Sequence, residues 1–454
     1  MQTIDVKNRD VLVLGLGRSG MAAAALLQRD GAHVVVRDEG DTTELTERAN
    51  RLRQIGVRVE LGNHFDAAAR FDFAVLSPGI APERPVVTEL RRQKTPVMSE
   101  LELAYRYCLC PIIAITGTNG KTTTTELIHR MLETAGQRAF AAGNIGNALS
   151  DAVEQSAGLD ALVVETSSFQ LEAIEQFRPN VAIWLNLTPD HLDRHGSLEE
   201  YARAKARIFV NQTAEDYAIV SVEVWQWLQR IGVQPKARLL TFSAYGPTAD
   251  LWVDAADGQT IWCRRPEANG ILLKMDETHL RGLHNAENIL ATFAAGLALQ
   301  LPVAAIREAL ASYCPQAHRC EMVAAKYGVT FINDSKATNV DAVEKALRAL
   351  PGPVVLIAGG RDKGLNFSSI KEVIAEKVKL AVLIGETQEK IDRAWGDVTP
   401  CERAETMGEA VRLAVSHAHR GDTVLLSPAC ASFDMFQNYE HRGEEFKKEV
   451  LALL

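Results

Sequence analysis

The residues best suited to chemistry lie in the stretch CPIIAITGTNGKTTTTELIHRML, from Cys110 to Leu132. Apolar Ile112 to Ile115 precede Gly117 and Gly120, and Lys121-Thr122 then opens a helical pattern. A strand, a glycine turn and a helix start, in that order, make a phosphate cradle. Backbone N–H groups around Thr118 to Lys121 can face phosphate oxygens, Lys121 neutralises charge, and the Thr122 hydroxyl can ligate Mg²⁺. The loop is shorter than G-x-x-x-x-G-K-[ST], because Ile115 stands where the first glycine belongs. The plain alternative is an incidental glycine turn before a threonine-rich helix, which leaves the Lys-Thr pair unexplained.

A second nucleotide fingerprint stands near the beginning of the chain. Gly15, Gly17 and Gly20 in VLVLGLGRSG fit G-x-G-x-x-G after an apolar strand. Such a turn lets the backbone approach a phosphate and aims a helix N-terminus at it. Asp38 closes the next apparent strand, HVVVRD, where a ribose-binding acid belongs. Alone, this favours an NAD enzyme, or a tight turn that binds nothing. A dehydrogenase has no use for a separate triphosphate loop. A protein that holds a large nucleotide-linked substrate on one domain and spends ATP on another needs both turns.

The elements that must position these turns are repeated βα units. Short β-branched runs end in glycine turns and pass into helical segments, which predicts an α/β protein with mostly parallel sheets. Three blocks are expected: residues 1–100, 101–314 and 315–454. Gly, Thr and Trp between Arg238 and Leu283 suggest additional β-structure within the second. In the third, the runs TFINDSKATN, VVLIAGGRDKG, LAVLIGE and TVLLSPACASFD each carry a strand into a small-residue loop, where ligands of open α/β sheets bind. With 47% hydrophobic residues, the 454-residue chain has ample core for several domains. A net charge of -9 argues against a nucleic-acid surface. There is no apolar run of membrane-spanning length. The N-terminus enters a strand without a signal-peptide pattern, and the seven cysteines include no CxxC pair, so a cytoplasmic protein with reduced thiols is expected.

The loop TGTNGKTT resembles that of the Mur ligase family, which also includes folylpolyglutamate synthetases. Further motifs are similar to those of one branch: SPGI at Ser77 to Ile80, GNIG at Gly143 to Gly146, ETSSFQLE at Glu165 to Glu172, NDSKATN at Asn333 to Asn339 and SPACASFD at Ser427 to Asp434. That branch joins D-glutamate to UDP-N-acetylmuramoyl-L-alanine in peptidoglycan synthesis, and the likeness spans essentially the whole chain. The DNPR motif of the diaminopimelate- or lysine-adding relatives is absent. The resemblance implies three domains: a Rossmann-like one for the UDP-substrate, a central P-loop ATPase-type sheet, and a C-terminal Rossmann-like one for the amino acid. A monomer is expected.

Residue by residue, the resemblance implies that ATP is held by Gly117, Thr118, Asn119, Gly120, Lys121, Thr122 and Thr123. Asn285, Asn288, Arg319 and Asp334 join them. Asn285 and Asn288 lie three apart on one helix face, with helix capping a rival role for Asn285. Arg319 would bring fixed positive charge to the phosphates, and Lys336 shares the loop of Asp334. Mg²⁺ would fall to Thr122, Glu165, His191 and Lys205. Lys205 is implied to become a CO₂-derived carbamate; read alone, it is a solvated helix lysine near Glu200 and Arg203. The UDP-substrate would engage Gly17, Arg18, Ser19, Asp38, Ser77, Asn144, Ser167, Gln170 and His191. D-glutamate would meet Thr338, Lys363, Ser432, Phe433 and Tyr439, a cation beside hydroxyls that suits a dicarboxylic amino acid. One departure concerns Asp38: the branch often has a basic residue after this aspartate, whereas here Arg37 precedes it and Glu39 follows. The implied catalytic residues are Lys121, His191, Lys205 and Arg319, acting through an acyl phosphate with His191 as candidate base. A folylpolyglutamate-type ligase without the first domain, an NAD oxidoreductase and a non-catalytic relative remain rival readings.

Overall fold

Each β-branched run becomes a strand in the computed structural model, which describes residues 4–62, 69–81, 83–144, 146–280, 282–313, 317–350 and 352–453. Ile145 of the GNIG motif and the expected boundary between residues 314 and 315 lie outside these residues. Among the described residues the strands form three sheets, mostly parallel, as the βα pattern predicts. The chain divides into two compact units, Met1–Lys274 with Glu287–Ala311, and Met275–Ala286 with Ser312–Leu454.

The first unit contains two sheets. One is built from β1 (Asp10–Leu14), β2 (His33–Asp38), β3 (Arg58–Leu61), β4 (Phe73–Leu76) and β5 (Val97–Ser99), all parallel, in the order β3-β2-β1-β4-β5. Alternation along the strands sends their side chains to two cores. Val11, Val13, Val34 and Val36 pack with Ala23, Leu27, Ala49 and Leu52 of the helices Arg18–Arg29 and Thr43–Gln54. Leu12, Leu14, Ala74 and Leu76 pack with Val87 and Leu90 of the helix Pro85–Arg92. The strand order reverses beside β1, so the turn Gly15–Gly20 opens where such sheets bind ligands.

The other sheet of this unit contains β6 (Ile112–Thr116), β7 (Ala139–Gly143), β8 (Ala161–Glu165), β9 (Val181–Trp184), β10 (Tyr217–Ser221), β11 (Arg238–Ser243), β12 (Leu251–Val253), β13 (Thr260–Cys263) and β14 (Gly270–Lys274). Their order is β14-β13-β12-β11-β10-β9-β6-β8-β7. The last three strands in sequence pair antiparallel, which is the additional β-structure expected after Arg238. β6 lies between β8 and β9, with Ile115 opposite Glu165 and Thr116 opposite Trp184.

The sheet of the second unit contains β15 (Glu321–Lys326), β16 (Val329–Asn333), β17 (Val354–Gly359), β18 (Val378–Ile384), β19 (Cys401–Arg403) and β20 (Thr423–Leu426), ordered β15-β16-β20-β17-β18-β19. Within this sheet, among the described strands, only β15 pairs antiparallel. The carboxyl ends of β16, β20, β17 and β18 therefore open side by side. The six described cysteines are free thiols, and no described helix is long and apolar enough to cross a membrane.

A buried carboxylate joins the two sheets of the first unit. Glu102, fully buried on the helix Glu100–Tyr105 that follows β5, accepts the N–H groups of Glu175, Gln176 and Phe177 at 2.9–3.0 Å and Arg106 Nε at 2.9 Å. Removing the carboxylate leaves the buried Phe177 N–H and the half-buried Arg106 guanidinium without it. Glu102→Ala is expected to cost about 3–5 kcal/mol in the unfolding transition of this unit, read by denaturant titration. A loss below about 1 kcal/mol would mean that water replaces the carboxylate without penalty.

Candidate active site

The phosphate loop leaves β6 and turns at Gly120, whose φ of +81° suits glycine and whose missing side chain makes room for Asn288. A Cβ there would sit 2.2 Å from Asn288 Oδ1, the same oxygen that accepts from Thr124 Oγ1 at 3.2 Å. Asn288 is buried on the helix Leu283–Ala298. Asn285 lies inside that helix, its N–H donating to Gly282 O, so it is not the cap. The first bond of the helix Lys121–Thr134 runs from Thr124 N to Gly120 O at 2.9 Å. The N–H groups of Lys121, Thr122 and Thr123 therefore precede its ladder and point toward the loop.

β8 brings Glu165 to this loop, as neighbouring strands require. The buried carboxylate accepts Thr122 Oγ1 at 2.8 Å through Oε2 and Asn144 Nδ2 at 2.7 Å through Oε1. β9 brings Asn186, which the sequence reading missed. Its Oδ1 accepts the N–H groups of Thr118 at 3.1 Å and Asn119 at 2.9 Å, and its Nδ2 donates to Asn119 O at 3.2 Å. Two of the N–H groups expected to face phosphate thus donate to a side chain instead.

Two lysines share one carbonyl. Lys121 Nζ donates to Gly117 O at 3.0 Å and Thr118 O at 2.8 Å, and Lys205 Nζ donates to Gly117 O at 2.8 Å. Lys205, on the helix Leu198–Ala206, is 1% exposed, so it is no solvated helix lysine. Burial, and then the charge of Lys121, push its amine well below the ordinary lysine range, against the opposing pull of Asp190 and Glu165. Its Nζ lies 4.5 Å from the centre of the Tyr201 ring.

His191 approaches from the same strand end as Asn186. Its backbone is left-handed at φ +53°, and its N–H donates to Asp190 Oδ1 at 2.9 Å. Its half-exposed ring lies 5.0 Å from Phe169 and 6.4 Å from Tyr201, so Tyr201 is the neighbour it shares with Lys205. Adjacent oxygens of Thr122 and buried Glu165 fit a hard cation such as Mg²⁺. Among the described residues no three His, Cys, Asp or Glu side chains cluster as a metal site, so any cation here depends also on hydroxyl or substrate oxygens.

The residues expected at the first turn hold that turn together. Asp38 accepts Leu16 N at 2.7 Å and Gly40 N at 2.9 Å. Ser77 Oγ donates to Gly15 O at 3.2 Å. A Cβ on Gly20 would lie 1.9 Å from that same carbonyl, which accounts for the third glycine of the fingerprint. Gly17 is the N-cap of the following helix, Ser19 is half-buried in its first turn, and Arg18 donates to Gly146 O. Arg37 is spent on Glu60 at 2.5 Å, while Glu39 pairs with Arg84 at 2.8 Å. Ser167 and Gln170 form a capping box that starts the helix Ser168–Glu172.

In the second unit, Asp334 follows β16 and accepts Ser427 Oγ at 2.8 Å and Cys320 N at 3.2 Å. Burial pushes its carboxyl up to about 6, opposed in part by the nearby Arg319. Lys336 Nζ lies 4.9 Å from the Tyr439 ring centre. Arg442, another residue missed from sequence, is fully buried and donates to Ser335 Oγ at 2.9 Å, Ser335 O at 2.7 Å and Cys430 O at 3.1 Å. It fastens the loop of Thr338 to the loop of Ser432. Thr338 and Tyr439 are half-buried, Ser432 is buried, and Lys363 and Phe433 are exposed. Nothing in the spacing of EHRGEEF points to Arg442, whose partners are distant in sequence.

Comparison with known proteins sorts these features. Three family descriptions match: "Mur ligase MurD-like, N-terminal domain" over residues 9–99, "Mur ligase middle domain" over 115–296, and "Mur ligase, glutamate ligase domain" over 318–430. A UDP-N-acetylmuramoylalanine–D-glutamate ligase of Chloroherpeton thalassium is 41% identical, with 99% of each chain covered. One of Koribacter versatilis is 41% identical, with 98% of each covered. Among solved structures, a pseudomurein peptide ligase type C from Methanothermus fervidus shares the fold, with a TM-score of 0.63 at 18% identity over 97% of this chain and 100% of that one. With such identity to whole-length relatives, and a matching description for each of its sheets, the chain belongs to the Mur ligase family.

Proposed function

We propose that this chain joins D-glutamate to UDP-N-acetylmuramoyl-L-alanine with ATP, giving ADP and phosphate, as a step of peptidoglycan precursor synthesis in the cytoplasm. The observation that carries the reading is the meeting of Lys121, Thr122, Glu165 and buried Lys205 around one phosphate loop. The shared name of the whole-length relatives supports the substrates. A dehydrogenase has no need of such a cluster.

In the proposed reaction the alanine carboxylate attacks the γ-phosphorus of ATP, and the bond to the bridging oxygen breaks to release ADP. Lys121 leaves the carbonyls of Gly117 and Thr118 for the phosphates and offsets their charge, with Arg319 as a second fixed cation. Thr122, Glu165, His191 and Lys205 would hold Mg²⁺, which would supply charge to offset that of the phosphate oxygens. Lys205 would serve as a carbamate: its neutral amine attacks CO₂, an N–C bond forms and a proton leaves, and the product is an anion on a long arm. A depressed amine supports this, because only the unprotonated form reacts. The D-glutamate amine then attacks the acyl phosphate carbon, phosphate departs, and His191 is the candidate to receive the amine's proton.

Asn285, Asn288 and Asp334 are assigned to the adenosine part of ATP. The first turn, with Gly17, Arg18, Ser19, Asp38 and Ser77, is assigned to the UDP end of the substrate, with Asn144, Ser167, Gln170 and His191 nearer its reacting end. Thr338, Lys363, Ser432, Phe433 and Tyr439 are assigned to D-glutamate, Lys363 meeting its side-chain carboxylate. The domain ranges 1–100, 101–314 and 315–454 and a monomeric state belong to the same reading.

With Mg²⁺ and bicarbonate, sustained ADP release is expected to require both UDP-N-acetylmuramoyl-L-alanine and D-glutamate, to fail with L-glutamate, and to ignore NAD. Absence of the peptide product would refute the assignment. Lys205→Arg is expected to lower kcat about 100-fold or more. It should also abolish a carbamate signal that ¹³C-bicarbonate produces in the wild type; an unchanged signal would remove Lys205 from this role.

Asp334 carries its charge only above about pH 6, so KM for ATP should climb as pH falls through that value. In Asp334→Asn it should be raised and flat across the same window. The stability effect has the opposite sense: with its folded pKa raised from about 3.9, the native state takes up the proton first, and this group adds stability as pH falls from about 6 toward 4.

A further inference from the structure

The segment that leaves β9 acts as a template for the phosphate loop. Asn186 Oδ1 receives two successive N–H groups and its Nδ2 returns a bond to the same backbone, at Asn119 O. The orientation of the amide is unambiguous, since a flipped group would set its NH₂ against two N–H donors. Its own backbone is anchored, because Asn186 O accepts the fully buried Trp184 Nε1 at 3.0 Å and Thr118 N at 3.2 Å. Two residues on, Thr188 N donates to Thr118 Oγ1 at 3.0 Å, and that hydroxyl donates to Thr188 O at 3.2 Å. The loop is therefore held at Thr118 and Asn119 by a chain segment that continues directly into Asp190 and His191.

We infer that Asn186 is a positioning residue for the nucleotide: it fixes the phosphate loop from behind and ties it to the segment that carries Asp190 and His191. By engaging Thr118 N and Asn119 N it reserves the phosphates for the helix start at Lys121 to Thr123. It also sets the direction of the Gly117 and Thr118 carbonyls, the acceptors that Lys121 and Lys205 use. Only an amide of this length supplies the acceptor and the donor together. Aspartate keeps the acceptor, loses the donor and adds charge beside the phosphates; leucine keeps the shape and loses both. The inference rests on the reading of this loop as the ATP site.

The test compares the full-length wild type with Asn186→Leu and Asn186→Asp, using calorimetric binding of MgADP, KM for each substrate, and thermal melting. Asn186→Leu is expected to weaken MgADP binding and raise KM for ATP about tenfold or more, while KM for D-glutamate stays within about twofold. Asn186→Asp should melt close to the wild type because its carboxylate still accepts both N–H groups. Its MgADP binding should remain weak and fall further at low salt, where the added charge is least screened. The inference is overturned if Asn186→Leu binds MgADP within about twofold of the wild type. It is equally overturned if Asn186→Asp binds MgADP like the wild type, or if nucleotide and UDP-substrate binding fall together with the melting temperature. A wild type that binds MgADP but makes no product sinks the ligase assignment and leaves the MgADP comparison decisive for Asn186.

Discussion

The pairing of β6 with β8 on one side and β9 on the other governs the candidate active site. A parallel strand delivers whatever follows it to the same end as its neighbours, so two sequence-distant segments arrive beside the phosphate loop that follows β6. β8 contributes Glu165, which takes the Thr122 hydroxyl. β9 contributes Asn186, which takes the loop backbone. A register shift of one residue in either strand would send those side chains to the opposite face of the sheet. The chemistry thus depends on hydrogen-bond ladders whose own residues are almost all apolar.

Charge is concentrated where water is scarce. Lys205 and Glu165 are nearly inaccessible, and Lys121 and Lys205 converge on one carbonyl oxygen. Burial disfavours the Lys205 ammonium, and the charge of Lys121 so close by adds to the effect, so this amine gives up its proton more readily. Glu102 meets the same difficulty by other means, surrounding its carboxylate with backbone donors and Arg106.

The second unit solves a comparable problem with a guanidinium. Among the described residues Arg442 hydrogen-bonds no carboxylate; it binds Ser335 and Cys430, and burial lowers it to about 10, which leaves it charged near neutrality. Its planar fork spans two loops that follow different strands, β16 and β20. Asp334 lies at the end of β16 with its carboxyl shifted upward, so its charge responds to mild acid. Loops at the carboxyl ends of adjacent parallel strands are thereby held in fixed relation.

Much of this was legible in the chain before folding. The alternation of β-branched runs with glycine turns announces parallel α/β sheets because those runs must be buried on both faces. TGTNGKT and GLGRSG mark their own turns, since glycine, lysine and threonine act there through local backbone geometry. Partnership between distant residues was not legible. Asp38 carries the position of a ribose acid, yet its carboxylate is occupied by Leu16 and Gly40. Arg37, which precedes Asp38, is held by Glu60 of the neighbouring strand. Lys205 looks like a surface lysine until the folded chain buries it, and Asn186 and Arg442 bind backbone atoms that no spacing rule connects to them. Local order in a chain specifies turns and strands, but which buried donor meets which acceptor follows from strand order and burial, quantities that exist only after the segments pack.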